Sequence, residues 1–250
     1  MSNAERQKRI IDILEREGYV TVKYLSNALD YSFATINRDL NALQDKHLVS
    51  RSYGGVELVR APYVSVLFRA HKMRAEKLQI AKCASNFVKD GDVIFIDGST
   101  TAQCMERALT ERKNLTVITN NLLLSAKLSE HKIKVVCLGG TVVEAPSMLY
   151  GKETVENALK YRVDKAFFST GAVSNDGLIA SGVYDLMLRA ITSRAKEVFY
   201  LVDHEKVDKP FNEVYGDFST VNYVISDYDF PLETKERFLN VQFVKTEKCE

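Results

Sequence analysis

Ser32-Phe33-Ala34-Thr35-Ile36-Asn37-Arg38-Asp39-Leu40-Asn41-Ala42-Leu43 decides how this chain is read. At 100° per residue, Ile36, Leu40 and Leu43 fall on one narrow stripe, which predicts an amphipathic helix with Ser32 as its N-cap. Ala34, Asn37, Arg38 and Asn41 project together from the opposite side. Asn pairs bidentately with adenine and Arg with guanine, and a small Ala lets a helix approach the base edges. Taken alone, such a pattern more often marks a solvated polar face. The flanking segments change that balance.

Upstream, Arg6 to Arg16 carries Ile10, Ile13 and Leu14 at helical spacing and ends near Gly18, a helix stop signal. Thr21 can cap a second helix, Val22 to Leu29, and only Asp30 and Tyr31 separate that helix from the Ser32 cap. Two helices joined by so tight a turn must cross steeply, as in a helix-turn-helix. Downstream, Leu48–Arg51 and Val56–Val59 read as two strands around Ser52-Tyr53-Gly54-Gly55, the hairpin of a winged helix. Arg51 on that wing is suited to a phosphate or to the minor groove.

Composition frames the rest. The chain has 250 residues, enough for two domains, and a hydrophobic fraction of 46%, ordinary for a soluble protein. The N-terminus is polar rather than signal-like and no apolar run reaches membrane-spanning length, so a cytoplasmic protein is expected. Cys83, Cys104, Cys137 and Cys249 are scattered without metal-ligand spacing, which favours free buried thiols over disulfides or zinc. Residues 1–60 hold nine Lys/Arg and eight Asp/Glu. A domain this close to neutral has modest non-specific affinity for DNA and needs two half-sites, hence a homo-oligomer, a dimer or higher.

From about residue 75, apolar strands alternate with amphipathic helices. Val93–Ile96, Leu115–Ile118, Val135–Leu138, Lys165–Phe168, Val198–Val202, Val221–Ile225 and Val241–Val244 are the strands. Ala102–Leu109, Leu122–Leu128, Thr154–Leu159 and Val183–Lys196 are the helices. The alternation predicts an α/β, doubly wound, mostly parallel sheet. Ligands of such sheets bind beyond the carboxyl ends of the strands. There the chain places Asp97-Gly98-Ser99-Thr100-Thr101, Thr119-Asn120-Asn121, Gly139-Gly140, Thr170-Gly171 and Asp203. Gly98 permits close backbone approach, and the hydroxyls and N–H groups of Ser99, Thr100 and Thr101 stand at an expected helix N-terminus, suited to an anion. Lys77 and Lys206 are the candidate counter-charges, and Asp97 and Asp203 can accept from sugar hydroxyls. Each strand end singly is also an ordinary capped corner. The sequence shows no catalytic constellation, no metal cluster and no cofactor motif.

Several of these segments together resemble the DeoR family of bacterial transcriptional regulators: Glu5-Arg6-Gln7, Thr35-Ile36-Asn37-Arg38-Asp39-Leu40, Arg51-x-Tyr53-Gly54-Gly55, Asp97–Thr101, Thr119-Asn120, Gly139-Gly140 and Asp203-x-x-Lys206. The resemblance spans essentially the full chain. It implies an N-terminal winged helix-turn-helix joined to a sensor domain similar to ribose phosphate isomerases and coenzyme A transferases. It also implies repression of sugar-catabolic genes, relieved when a phosphorylated sugar binds. The chain departs from the family pattern at Asn37, where an arginine is usual, and at Tyr53, where a histidine is usual. The helix after Gly177 differs as well, offering Tyr184, Asp185, Leu188 and Arg189.

The expectation is therefore a DNA-binding domain over 1–58, a linker over 59–75 and an effector domain over 76–250. Ser32, Ala34, Thr35, Asn37, Arg38, Asn41, Arg51 and Tyr53 are expected to face operator DNA. Lys77, Asp97, Gly98, Ser99, Thr100, Thr101, Asn120, Gly139, Gly140, Asp203 and Lys206 are expected to face the effector. The rival reading is a sugar phosphate isomerase or acyl transferase with a fused interaction domain. It lacks an acid or base over Phe167–Ala172 to move a proton, and it leaves the winged helix without a purpose.

Overall fold

The computed structural model describes residues 3–17, 19–46, 48–52, 55–58, 69–70, 72–144, 148–182 and 185–249. The chain divides into two compact units, Met1–Phe68 and Arg69–Glu250. Tyr53, Gly54, Tyr184 and most of the expected linker lie outside the described residues.

In the first unit, α1 (Asn3–Glu17), α2 (Val22–Leu29) and α3 (Phe33–Asp45) pack with a three-stranded antiparallel sheet. Its strands are β1 (Tyr19–Thr21), β2 (Val49–Ser52) and β3 (Gly55–Leu58), in the order β1-β3-β2. Thr21 caps α2 through its hydroxyl and Ser32 caps α3, both from extended backbone that frees the side chain to reach back. Asp30 ends α2 in the left-handed region, at φ 56°, and this lets the chain reverse within the two-residue turn. Ile10, Leu14, Leu25, Ile36, Leu40, Leu43, Val49 and Val56 are all buried in one core, so the predicted stripe of α3 does face inward. The short strand β1 was not legible in the sequence; three residues give no periodicity.

The second unit is built on a seven-stranded sheet in the order β14-β13-β11-β9-β4-β5-β6, with every pairing parallel. The strands are β4 (Val93–Ile96), β5 (Thr116–Thr119), β6 (Lys134–Cys137), β9 (Val163–Phe168), β11 (Ala195–Val202), β13 (Tyr223–Ser226) and β14 (Gln242–Lys245). Successive residues of a strand serve opposite faces. Ile94 and Ile96 enter one core with Phe167, Phe199 and Leu201, while Phe95 enters the other with Ala166, Phe168 and Tyr200. The first core is closed by α4 (Arg74–Ser85), α5 (Glu106–Leu109) and α6 (Leu122–Ser129). The second is closed by α7 (Lys152–Ala158) and α8 (Asp185–Thr192). This is the doubly wound arrangement, with apolar strands covered on both faces. Phe199 is stacked between Phe167 and Tyr223, with ring centroids 4.6 and 4.3 Å away.

Three expectations are corrected. The helix expected over 183–196 stops at Thr192, because Ala195 and Glu197 already pair with Val163 and Lys165 of β9. The polar start of a strand at the rim of a sheet has the composition of a helix surface. The helix expected over 102–109 is a 3-10 turn, Ala102–Met105, followed by the four residues of α5. Cys83 and Cys249 are joined in a disulfide rather than free, with Cα atoms 5.2 Å apart. Their separation of 166 residues hides the pair from any reading based on spacing, since the last strand carries the C-terminal turn back to α4. Small antiparallel ladders also escaped the pattern: β7 (Thr141–Glu144) with β8 (Met148–Tyr150), and β10 (Leu178–Ala180) with β12 (Val214–Asp217). So did α9 (Leu232–Arg237).

Candidate functional site

In the first unit, the residues of α3 divide as the helical period requires. Ile36, Leu40 and Leu43 are buried, whereas Ala34, Arg38 and Asn41 are exposed and Thr35 and Asn37 half-buried. Ser32 Oγ accepts from Thr35 N at 3.3 Å and shares a proton with Thr35 Oγ1 at 3.0 Å. These two residues therefore start the helix. Asp39 is fully buried and held by Arg6 of α1. The wing reaches the same exposed face: Arg51 on β2 donates to Asn37 Oδ1, and to Asn41 Oδ1 at 2.7 Å. Of the eight residues expected to face DNA, all but Tyr53 are described, and Ala34, Asn37, Arg38, Asn41 and Arg51 gather on one surface.

In the second unit, chain order reverses between β4 and β9. From β4 the chain steps outward through β5 to β6, then returns to β9 on the other side of β4. The carboxyl ends of β4 and β9 thus open a crevice at a topological switch point, the usual ligand position in open α/β sheets. Asp97 follows β4 and Ser169 follows β9. Asp97 accepts from Ser99 Oγ at 2.5 Å, from Ser99 N at 3.2 Å and from Ser169 N at 3.4 Å. Burial pushes its carboxyl up to about 6, against the opposing pull of these bonds and of Lys206.

Two ammonium groups flank the Ser99–Thr101 turn. Lys77, on α4, donates to Thr100 Oγ1 at 3.1 Å and to the carbonyl of Arg69. Lys206 follows β11 and donates to Thr101 Oγ1 at 3.0 Å and to Ser169 Oγ at 2.8 Å. Lys77 is only 4% exposed, and burial together with the like charge of Lys206 lowers it to about 8. Burial also holds Lys206 below the ordinary lysine range, opposed by Asp203, whose Oδ2 lies 3.4 Å from its Nζ. The two buried ammonium groups bond adjacent neutral hydroxyls, and the Asp203 and Asp97 carboxylates offset part of their charge. The helical segment after Thr101 is too short to build much dipole, so the charge comes from the lysines.

Other expected residues take different parts. Asn120 is fully buried; its Nδ2 donates to Leu149 O at 3.1 Å, and its Oδ1 has no hydrogen-bond partner among the described residues. A Cβ at Gly98 would meet the end of the Met148 side chain at 2.4 Å, so a flexible side chain rather than open space lies over it. Gly140, at φ 116°, would drive a Cβ into Thr154 Oγ1 at 2.1 Å, while Thr154 donates to Gly139 O at 2.7 Å. The Gly139-Gly140 pair therefore fixes the turn against α7. Ser169 and Met148 were not singled out from the sequence. The switch-point rule finds Ser169 once strand order is known, but no local signal marks Met148. Arg189 bonds Asp185 at 2.6 Å, bonds the carbonyl of Tyr215 and lies over the Tyr215 ring, so its groups are already engaged.

Comparison with known proteins agrees with both units. A family model of the DeoR-like helix-turn-helix domain matches residues 6–61, and one of the DeoR C terminal sensor domain matches residues 72–228. The chain is 30% identical over 231 residues to the HTH-type transcriptional repressor GlcR of Bacillus subtilis, covering 91% of this chain and 89% of that protein. It is 28% identical to the Glycerol-3-phosphate regulon repressor of Escherichia coli, covering all of both chains. Among solved structures it is similar to ribose 5-phosphate isomerase A of Methanocaldococcus jannaschii, at 23% identity and a TM-score of 0.41, over 54% of this chain and 55% of that one. No helix among the described residues is long and apolar enough to cross a membrane. The chain belongs to the DeoR family and is a DNA-binding transcriptional regulator, not an enzyme.

Proposed function

We propose that the protein represses a sugar or sugar-derivative operon and leaves its operator when a phosphorylated sugar occupies the cleft between β4 and β9. The observation that carries the sensor half is the convergence of Lys77 and Lys206 on the hydroxyls of Thr100, Thr101 and Ser169 at the switch point. A phosphate arriving there replaces hydroxyl acceptors with charged ones, turning neutral hydrogen bonds into charge-assisted bonds. Asp97, Asn120 and Asp203 line the same strand ends and suit sugar hydroxyls. On this reading residues 1–58 bind DNA, 59–75 link and 76–250 sense. The protein acts in the cytoplasm as a dimer or higher oligomer, whose two winged helices meet two operator half-sites.

The mechanism is linkage: the sugar phosphate shifts DNA affinity only by its differential affinity for the DNA-competent and released states. The test is a gel-shift assay on DNA from upstream of the protein's own gene, with a panel of sugar phosphates, beside melting temperatures for the same panel. Weakened DNA binding with one member and a raised melting temperature are expected. If no member changes either quantity, the sensor half is wrong. If the upstream DNA is not bound at all, the operator half is wrong.

A further inference from the structure

The wing and α3 share a polar cluster that redistributes roles among the residues facing DNA. Asn37 has both ends of its amide committed: Nδ2 donates to Phe33 O at 2.8 Å and Oδ1 accepts from Arg51. One N–H and one lone pair of that amide remain, but the Phe33 and Arg51 bonds fix the direction in which they face. Arg51 spends one N–H on Asn37 and one on Asn41 Oδ1, and keeps the rest of its five donors. Asn37 and Asn41 lie one helical turn apart, so a guanidinium bridging them lies along the face that also presents Ala34 and Arg38. Holding a long side chain in a single pose costs conformational entropy, which a loose phosphate contact does not require. The planar fork is therefore pre-oriented on the surface that enters the major groove.

We propose that Arg51 reads a base, guanine by its donor geometry, from the major groove, with Asn37 and Asn41 as positioning residues. The assignment rests on α3 being the recognition helix. A phosphate contact from the wing makes different predictions, because it carries charge but no sequence information. Lysine preserves the charge and loses the fork.

The experiment is binding-site selection by the full-length protein from random duplexes, followed by affinities for single-base variants of the selected duplex. Circular dichroism and melting confirm that each variant is folded. Arg51→Lys is expected to lose about tenfold on the selected duplex, with preference flattened at one base position. Its affinity for unrelated duplex and its salt dependence stay as in the wild type. Asn37→Ala is expected to flatten the same position. Arg51→Lys with base preference intact would overturn the assignment. So would Arg51→Ala weakening all duplexes alike while lowering the salt slope by about one. Asn37→Ala flattening a different position overturns its positioning role. A wild-type protein that selects no sequence overturns the recognition-helix reading and this assignment with it.

Discussion

Arg6 of α1 grips Asp39 of α3 through two guanidinium nitrogens, Nε to Oδ2 and Nη2 to Oδ1, the latter at 3.1 Å, and Asp39 is fully buried. The Arg6 guanidinium also lies 4.8 Å from the centre of the Tyr31 ring, in the turn before α3. Arg6 thus ties the first helix to α3 and to the turn before it. Asp39→Ala removes two hydrogen bonds to a charged group and leaves the half-buried Arg6 guanidinium without its partner. It is therefore expected to cost about 1.5–3 kcal/mol of winged-helix stability. Denaturant unfolding of the full chain measures the loss, and DNA binding should fall with it. An unchanged unfolding curve would show that Arg6 finds solvent without penalty.

Arg38 sits beside Asp39 in sequence but on the opposite, exposed side of α3. Its removal should leave the fold intact, since it contributes nothing to the core of the first unit. Arg38→Ala is expected to weaken binding to upstream DNA about tenfold or more, with the melting temperature and its response to sugar phosphate unchanged. Unchanged DNA affinity would remove Arg38 from the interface.

Thr100 tests the proposed sensor cleft without disturbing its volume. Thr100→Val removes the oxygen that accepts from Lys77 Nζ and leaves Lys77 its bond to the Arg69 carbonyl. The ammonium is then less well placed. The melting-temperature rise in saturating inorganic phosphate is expected to shrink, as for a loss of about tenfold in affinity. DNA binding in the absence of phosphate stays at the wild-type level. An unfolded variant would identify Thr100 as structural instead.

The parts legible in the sequence are those where local chemistry and tertiary packing agree. Ser32 and Thr21 cap their helices as their side chains predict, and the run Val93–Ile96 forms a strand with the bounds expected. Asp97, Ser99, Thr100 and Thr101 stood out because several polar strand ends fall on one edge of the sheet, although each alone is also an ordinary capped corner. The missing parts depend on long-range neighbours. Ser169 became recognisable only when β9 was found beside β4, since adjacency in a parallel sheet is not written in chain order. Gly98 drew notice as a glycine, yet the side chain that lies over it belongs to Met148, fifty residues later. Arg51 was assigned to the wing correctly, but its bonds to Asn37 and Asn41 depend on how a hairpin folds back onto a helix.

The pH dependence of anion binding follows from two groups in the cleft. Burial places the Asp97 carboxyl at about 6 and the Lys77 ammonium at about 8. Below 6 the carboxyl is neutral and Lys77 is charged, so the seat is at its most positive. Raising the pH through 6 adds a negative charge, and raising it through 8 removes a positive one; both steps oppose an anion. A phosphate monoester obscures the first step, because it gains its own second charge near pH 6. Sulfate keeps its charge throughout and isolates the protein's contribution. Its affinity, followed by thermal shift, is expected to fall in two steps between pH 5.5 and 8.5. Each step reaches about tenfold if the anion loses one hydrogen bond in it, from the neutral Asp97 carboxyl at the lower step and from the Lys77 ammonium at the upper. Asp97→Asn should abolish the lower step and keep the upper, and Lys77→Met should keep the lower and shrink the upper, to which Lys206, also lowered by burial, adds. A flat profile in the wild-type protein would mean that the sulfate sits away from both groups.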